Sequence, residues 1–301
     1  MTTSVTCVGL AVLDFVFSLD SSVALGHKNF ASSLRVAPGG PAANAAVAIA
    51  TMGGSSRLIA TLGSDTVGDS IVTDLELRGV DVSRVRRVLG VVSPVSTVTV
   101  DDRGERTIVN HTDTDLFEGS DAVTSNDMAD SRALLTDLRW PDGALSAIRH
   151  ANKLGIPSVV DCDLTASSIH DAIISSATHL VFSEPALIRM TGRRDVDDVL
   201  ADVAVTTEAF VGVTLGRRGF RWLERGTVRD FSGIDVEVVN TLGAGDVFHG
   251  AFALGLAEGR NIDDIIEWSS AAAAFKCTGR GAGDGFPTRA EVTSLLEEVR
   301  A

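Results

Sequence analysis

Asn240-Thr241-Leu242-Gly243-Ala244-Gly245-Asp246 runs straight into the helical pattern Val247 to Glu258. Small residues at 243–245 let a backbone come close to a ligand. Their N–H groups open a helix, where unpaired donors and the positive end of the dipole favour an anion. Asp246 then falls in the first helical turn, beside any phosphate held there. A carboxylate so placed can accept the proton of an attacking hydroxyl. A glycine loop that merely starts a helix has the same letters, so the stretch alone leaves both readings open.

Upstream of the loop, strands and helices alternate. Val5 to Val12 is apolar and β-rich and predicts a buried first strand, with Asp14 beyond its end. Ala42 to Met52 is an Ala-rich helix closed by Gly53-Gly54, Ser56 to Leu62 a strand, and Val67 to Arg78 a helix closed by Gly79. The same rhythm returns with strands at Ala133 to Asp137, Pro157 to Asp161, His179 to Phe182 and Ala209 to Thr214. Helices at Asp142 to Leu154 and Glu184 to Thr191 separate them, and Phe220 to Leu223 with Val228 to Phe231 reads as a hairpin. Ala244 to Glu258 and Ile262 to Cys277 are the last helices. Such alternation implies a mostly parallel sheet covered on both faces. Two segments break it, about residues 15–36 and 93–111; in the second, Ser93 to Val100 and Glu105 to Asn110 flank Arg103-Gly104 as a hairpin. Both suit a small accessory sheet, a lid over the C-terminal edge of the main sheet where ligands of open α/β folds sit.

Composition narrows the function. The 301 residues are 45% hydrophobic and 22% charged, ordinary globular usage that argues against long disorder. Lys and Arg number 26 against 40 Asp and Glu, a net charge of −14. That field argues against nucleic acid or an anionic membrane as partner. One locally positive pocket for a small anion stays compatible with it. Cys7, Cys162 and Cys277 are too scattered for a disulfide framework or a zinc site, and fit reduced thiols in the cytoplasm. No basic leader precedes the first apolar stretch, and no apolar run reaches the length of a membrane span.

A second glycine signature joins the first: Gly9 to Asp14, then Gly39-Gly40-Pro41-Ala42-Ala43-Asn44-Ala45-Ala46. With these residues in this order, the chain resembles the ribokinase-like (PfkB) family of sugar kinases nearly end to end. The resemblance implies one α/β domain over residues 1–301, with a mostly parallel central sheet flanked by helices and a β lid from about 15–36 and 93–111. It implies that Asp14, Gly39, Gly40 and Asn44 hold the sugar. Asp246 becomes the catalytic base, and Gly243, Ala244 and Gly245 the anion hole for the transferred phosphoryl group. Thr214 and Gly216 match the family's nucleotide loop, closed by Gly219. Ala271 to Gly285, with Ala273 and Cys277, matches its adenine-flanking helix and loop. ATP and Mg²⁺ follow, since phosphoryl transfer needs charge neutralised on the β and γ oxygens. The lid's exposed strands suit a homodimer.

Two departures from the family pattern stand out. Its Asn-x-x-Glu motif, which organises Mg²⁺ and water, is replaced by Ser183-Glu184-Pro185-Ala186, leaving Glu184 as candidate metal ligand. Its Asp before the Thr of the glycine loop, tied to a monovalent cation, is Asn240 here, which puts activation by K⁺ in doubt. Both also keep open a sugar- or nucleotide-sensing protein without turnover.

Within the family, four local stretches match the members that phosphorylate sulfofructose: Ser183-Glu184-Pro185, Asp137 to Ala144, Gly245 to Ala251 and Phe275 to Thr278. The resemblance then gives Lys28, Asn110 and Arg139 the sulfonate, an anion whose oxygens want several donors. Each alone also reads as a solvated charge, a strand-end residue or a surface ion pair. The implied substrate is 6-deoxy-6-sulfofructose, phosphorylated at C1. Fructose 6-phosphate, tagatose 6-phosphate, fructose and 2-keto-3-deoxygluconate are the alternatives. Arg103 and Arg106 read as solvated turn residues, Asp161 and Asp163 as a loop pair behind the site, and His249 as helix packing or an indirect contact.

Overall fold

Strands buried on both faces need helices above and below them, and the chain supplies both in turn. The computed structural model describes residues 3–103, 105–118, 123–165, 171–193, 195–281 and 285–300. In chain order the elements are β1 (Ser4–Val8), β2 (Val12–Ser18), β3 (Ser33–Gly39), α1 (Pro41–Thr51), β4 (Ser55–Ile59), β5 (Thr61–Gly63), α2 (Thr66–Leu77), β6 (Val80–Asp81) and β7 (Arg86–Val88). The lid hairpin β8 (Val95–Val100) and β9 (Arg106–His111) follows. Then come β10 (Ala133–Asp137), α3 (Pro141–Leu154), β11 (Ser158–Cys162), α4 (Asp171–Ser176), β12 (His179–Ser183), α5 (Glu184–Thr191), α6 (Val196–Ala204) and β13 (Phe210–Thr214). The chain ends with β14 (Phe220–Glu224), β15 (Thr227–Phe231), α7 (Ala244–Ala257), α8 (Ile262–Cys277) and α9 (Arg289–Arg300).

Among the described residues the main sheet has nine strands in the order β15-β14-β13-β12-β11-β10-β1-β4-β6. From β6 to β13 the neighbours are parallel; β14 and β15 close the edge antiparallel. All five residues of β10 and all five of β11 are buried. Leu134 and Leu135, adjacent on β10, fall in different cores, one on each face. On the first face, α1 and α7 pack closely. The Ala-rich surface of α1 permits it, and a side chain at Gly250 of α7 would meet the Ala45 carbonyl at 2.7 Å.

The separate lid sheet has the order β3-β2-β8-β9. The expected lid segments are there with shifted bounds. The first predicted strand, Val5 to Val12, ends early: β1 stops at Val8 in the main sheet, and Val12 already begins β2, which crosses into the lid. The break comes where Gly9 takes φ +152 and the Leu10 N–H donates to Asp137 Oδ2 at 2.8 Å. Ser56 to Leu62 divides likewise, because β5 leaves to pair with β7. Helices α4, α6 and α9 go beyond the sequence reading; Val292 is the buried residue of α9, too little apolar pattern to announce a helix. Gly104 of the predicted lid turn and residues 282–284 of the predicted adenine loop lie outside the described residues. No described helix is long and apolar enough to cross a membrane, and the three cysteines are unpaired.

Asp137 joins the pieces that frame the site. Its carboxylate accepts from the backbone N–H groups of Leu10 (2.8 Å), Ala42 (3.2 Å) and Arg139 (2.8 Å). These follow β1, begin α1 and follow β10. Asp137 is 2% exposed, so its loss would strand those donors in a dry site. Asp137→Ala is expected to cost about 3 kcal/mol or more in thermal denaturation, and Asp137→Asn, which keeps one acceptor oxygen, clearly less.

Candidate active site

The first turn of α7 has no side-chain cap. Gly243, at its N-cap, takes φ +75, the left-handed conformation that glycine adopts without strain. The Ala244 N–H donates to the Thr241 carbonyl at 3.3 Å, which leaves the N–H groups of Gly243 and Gly245 for a ligand. Asn240 shapes the approach: its Oδ1 accepts from Leu242 N at 2.9 Å, and the Cys277 carbonyl accepts from Val239 and Asn240.

Asp246 follows on the same turn. Its Oδ2 accepts from Asn44 Nδ2 at 2.6 Å, across the α1–α7 contact. Burial pushes its carboxyl up to about 7; the charge of Asp161 adds to the rise, and the Asn44 bond opposes it. A carboxylate balanced near neutrality can take a proton and release it.

Asp246 and Asn44 lie on one wall of a cavity of about 280 Å³ between the main sheet and the lid. Asp14, Gly40, Asn110, Arg139, Gly243 and Gly245 line it too. Asp14 comes from β2 and accepts from the Ser96 hydroxyl of β8; burial raises its carboxyl above the ordinary range. Asn110 pairs with Ser96 across the lid, on a β9 strand exposed along its whole length. Arg139 contacts the Leu164 carbonyl and lies 3.5 Å from Asp163, whose other oxygen accepts from Ser183 at 2.7 Å. Leu10, Val12, Val98, Ile108 and Leu242 supply apolar surface.

A second cavity of about 290 Å³ lies behind the loop and is mostly apolar. Thr214, Gly216, Gly219, Ala244, Ala273 and Cys277 line it, with Phe248, Ile234 and Val236. Thr214 and Gly245 belong to both cavities. The two therefore meet at the uncapped start of α7, beside Asp246.

The structure thus brings together nearly all of the residues singled out in the sequence. Gly39 is off the lining and backs the Asp14 carboxylate. Lys28 is a correction: it is exposed on the loop between β2 and β3 and does not line the cavity. Glu184, the candidate metal ligand, is paired with Arg218 and lines neither cavity. Among the described residues no cluster of three or more His, Cys, Asp or Glu could hold a metal. Asp163, read from sequence as part of a loop pair behind the site, engages Arg139. Two contributors were not legible beforehand. Ser96 holds Asp14. Lys276, 5% exposed on α8, would bring Cε within 3.7 Å of a side chain at Gly243. Each depends on a contact between distant elements, which carries no local sequence signal.

Comparison with known proteins agrees with this geometry. The model of the pfkB family carbohydrate kinases matches residues 2–289. The ribokinase of Haemophilus influenzae is 28% identical over 310 residues, covering 99% of this chain and all of that one. The probable fructokinase-4 of Arabidopsis thaliana is 27% identical, covering 96% of this chain and 95% of its own. Among solved structures, a putative ribokinase from Agrobacterium tumefaciens is 38% identical with TM-score 0.94 over the whole of both chains. Arabidopsis thaliana ribokinase complexed with ribose and ATP, 24% identical, has the same fold with TM-score 0.88 over 99% of each chain. With the family match spanning almost the entire sequence, the chain belongs to the pfkB family of carbohydrate kinases and is an ATP-dependent sugar kinase.

Proposed function

We propose that this kinase phosphorylates the C1 hydroxyl of 6-deoxy-6-sulfofructose, giving the 1-phosphate and ADP, with Asp246 as general base. The observation that carries the reaction is the meeting of the two cavities at the first turn of α7, beside Asp246. In this reading the apolar cavity takes the adenosine of ATP, between Gly216, Gly219, Ala273 and Cys277. Asp14, Gly40 and Asn44 hold the sugar hydroxyls. Asp246 accepts the hydroxyl proton as that oxygen bonds to the γ-phosphorus and the bond to the β-phosphate oxygen breaks. The N–H groups of Gly243 and Gly245 face the charge that develops on the phosphoryl group.

Mg²⁺ fits as an ion brought in by the nucleotide. It keeps several waters and needs one or two carboxylates plus phosphates. Among the described residues no group of three or more His, Cys, Asp or Glu is disposed to hold an ion by itself, so the phosphates would supply the remaining ligands. Glu184, at the start of α5 beside Thr214's strand, is the carboxylate this reading assigns to it, released from Arg218 when the phosphates arrive. The ion would neutralise the β and γ oxygens.

Asn110 and Arg139 support the anionic tail: they stand on the acceptor cavity, and Arg139 is the one Arg or Lys among its described lining. A neutral sugar is the second reading. It is favoured by the carboxylate of Asp163 and the Leu164 carbonyl, which already engage Arg139. The names of the ribokinase and fructokinase relatives point the same way. Exposed Leu34, Val36 and Val109 on the lid support a homodimer of a cytoplasmic enzyme. Sedimentation that gives a monomer at every concentration would exclude that assembly.

Asp246→Asn is expected to lower kcat by about 10²–10⁴-fold while ATP still binds, as read by ADP release and by calorimetry. The base must be ionised, so kcat/KM of the natural enzyme is expected to rise with pH through about 7 and level off above it. Arg139→Ala is expected to reduce kcat/KM for 6-deoxy-6-sulfofructose by roughly thirtyfold or more, about 2 kcal/mol. KM for ATP should stay unchanged. Better turnover of fructose or ribose than of the sulfonated sugar in the natural enzyme would give the site to a neutral substrate.

A further inference from the structure

His249 lies one turn beyond Asp246 on α7 and is 3% exposed. Its Nε2 is 3.3 Å from the Val181 carbonyl on β12. That oxygen only accepts, so Nε2 bears a hydrogen. Its Nδ1 faces Asp161 Oδ2 at 3.5 Å, and both side chains are almost wholly enclosed. Asp161 Oδ1 has no hydrogen-bond partner.

A bare Nδ1 against an ionised carboxylate would set two acceptors face to face in a dry site, a costly arrangement. The pair therefore holds a proton between its two members. The Val181 carbonyl faces Nε2 and the Asp161 carboxylate faces Nδ1, and an imidazolium donates from both nitrogens. Sheet register gives Asp161 no other remedy. Its partner on β10 is Asp137, whose oxygens are occupied by backbone N–H groups; its partner on β12 is Val181.

We infer that His249 is a positioning residue that holds the proton neutralising Asp161, so that Asp246, one turn away, faces no second bare carboxylate. The inference rests on the reading of Asp246 as general base. The other titratable or charged groups around the pair are Asp137 at the end of β10, Cys162 and Asp163 beside Asp161, and Arg139. Arg139 is the cation among them, and Asp163 and the Leu164 carbonyl engage it. From β12 the pair meets the Val181 carbonyl. Burial pulls the ring below its ordinary range, while the charge of Asp246 and the carbonyls of Val181 and Gly245 act against that. Burial also lifts Asp161 well up, with Asp163 adding to the rise. An isolated charge on either partner is thus disfavoured; with Nε2 committed to the Val181 carbonyl, a proton held between Nδ1 and Asp161 leaves the pair with no net charge near Asp246.

His249→Gln removes the proton and keeps a polar side chain of similar reach. Its pH profile of kcat/KM is expected to show the acid limb moved up by about one unit, because a like charge beside a carboxylate raises its pKa. KM for MgATP should not change. Asp161→Asn added to His249→Gln is expected to bring the limb back. A limb that stays in place in the single variant, or a double variant that does not restore it, overturns the inference. If Asp246→Asn keeps transferring phosphate, the general-base reading itself has failed, a result separate from these. Should His249→Gln not fold, nitrogen NMR of the histidine-labelled natural enzyme decides. One of the six rings is expected to stay doubly protonated above the pH at which exposed histidines lose their charge. A spectrum without such a ring overturns the inference.

Discussion

The site depends on one hydrogen bond, from Asn44 on α1 to Asp246 on α7, made across residues 202 apart in sequence. It is possible because two helices of small residues pack closely, with Gly250 against the Ala45 backbone. The bond orients the carboxylate and offsets part of the burial that raises its proton affinity. It also couples the segment that frames the cavity under the lid to the segment that carries Asp246, the proposed base. A change that spreads α1 from α7 would move Asp246 relative to that cavity, with none of the proposed site residues altered.

The C-terminal edge of the sheet gathers five carboxylates, Asp14, Asp137, Asp161, Asp163 and Asp246, around one cavity. Like charges so close repel, and the structure answers each differently. Asp137 accepts backbone N–H groups, Asp14 a serine hydroxyl, Asp163 a serine and an arginine, and Asp161 faces a histidine. Asp246 alone combines a single amide partner with an open cavity. The carboxylates that are fully served hold the frame, and the one left partly served is free to exchange a proton.

The two cavities differ in the way their ligands require. The donor side is lined by Ile234, Val236, Phe248 and small residues, a surface suited to a flat apolar ring. The other cavity is mixed, with Asp14, Asn44, Asn110 and Asp246 set among apolar strips that include Val98 and Ile108 of the lid. The lid strand β9 is fully exposed, so the acceptor side stands open to solvent. Phosphoryl transfer needs water excluded, which makes movement of the lid the natural complement of this open arrangement.

The alternation of apolar strands with helices determined the fold class from sequence, because strands buried on both faces leave continuous apolar runs and helices leave a period. The glycine loop and its Asp246 were legible for a similar reason: an uncapped helix start with small residues is a local feature. Local pattern could not show that the main-sheet strand stops at Val8 and that Val12 already opens the lid strand, since the apolar run passes through both; the tether of Leu10 to Asp137 decides it. Nor could it place Lys28 away from the cavity, pair Glu184 with Arg218, or set His249 against Asp161. Those are contacts between elements far apart in the chain. Their geometry is set by helix packing and sheet register, so only the tertiary structure decides which charges are neutralised and which remains available for chemistry.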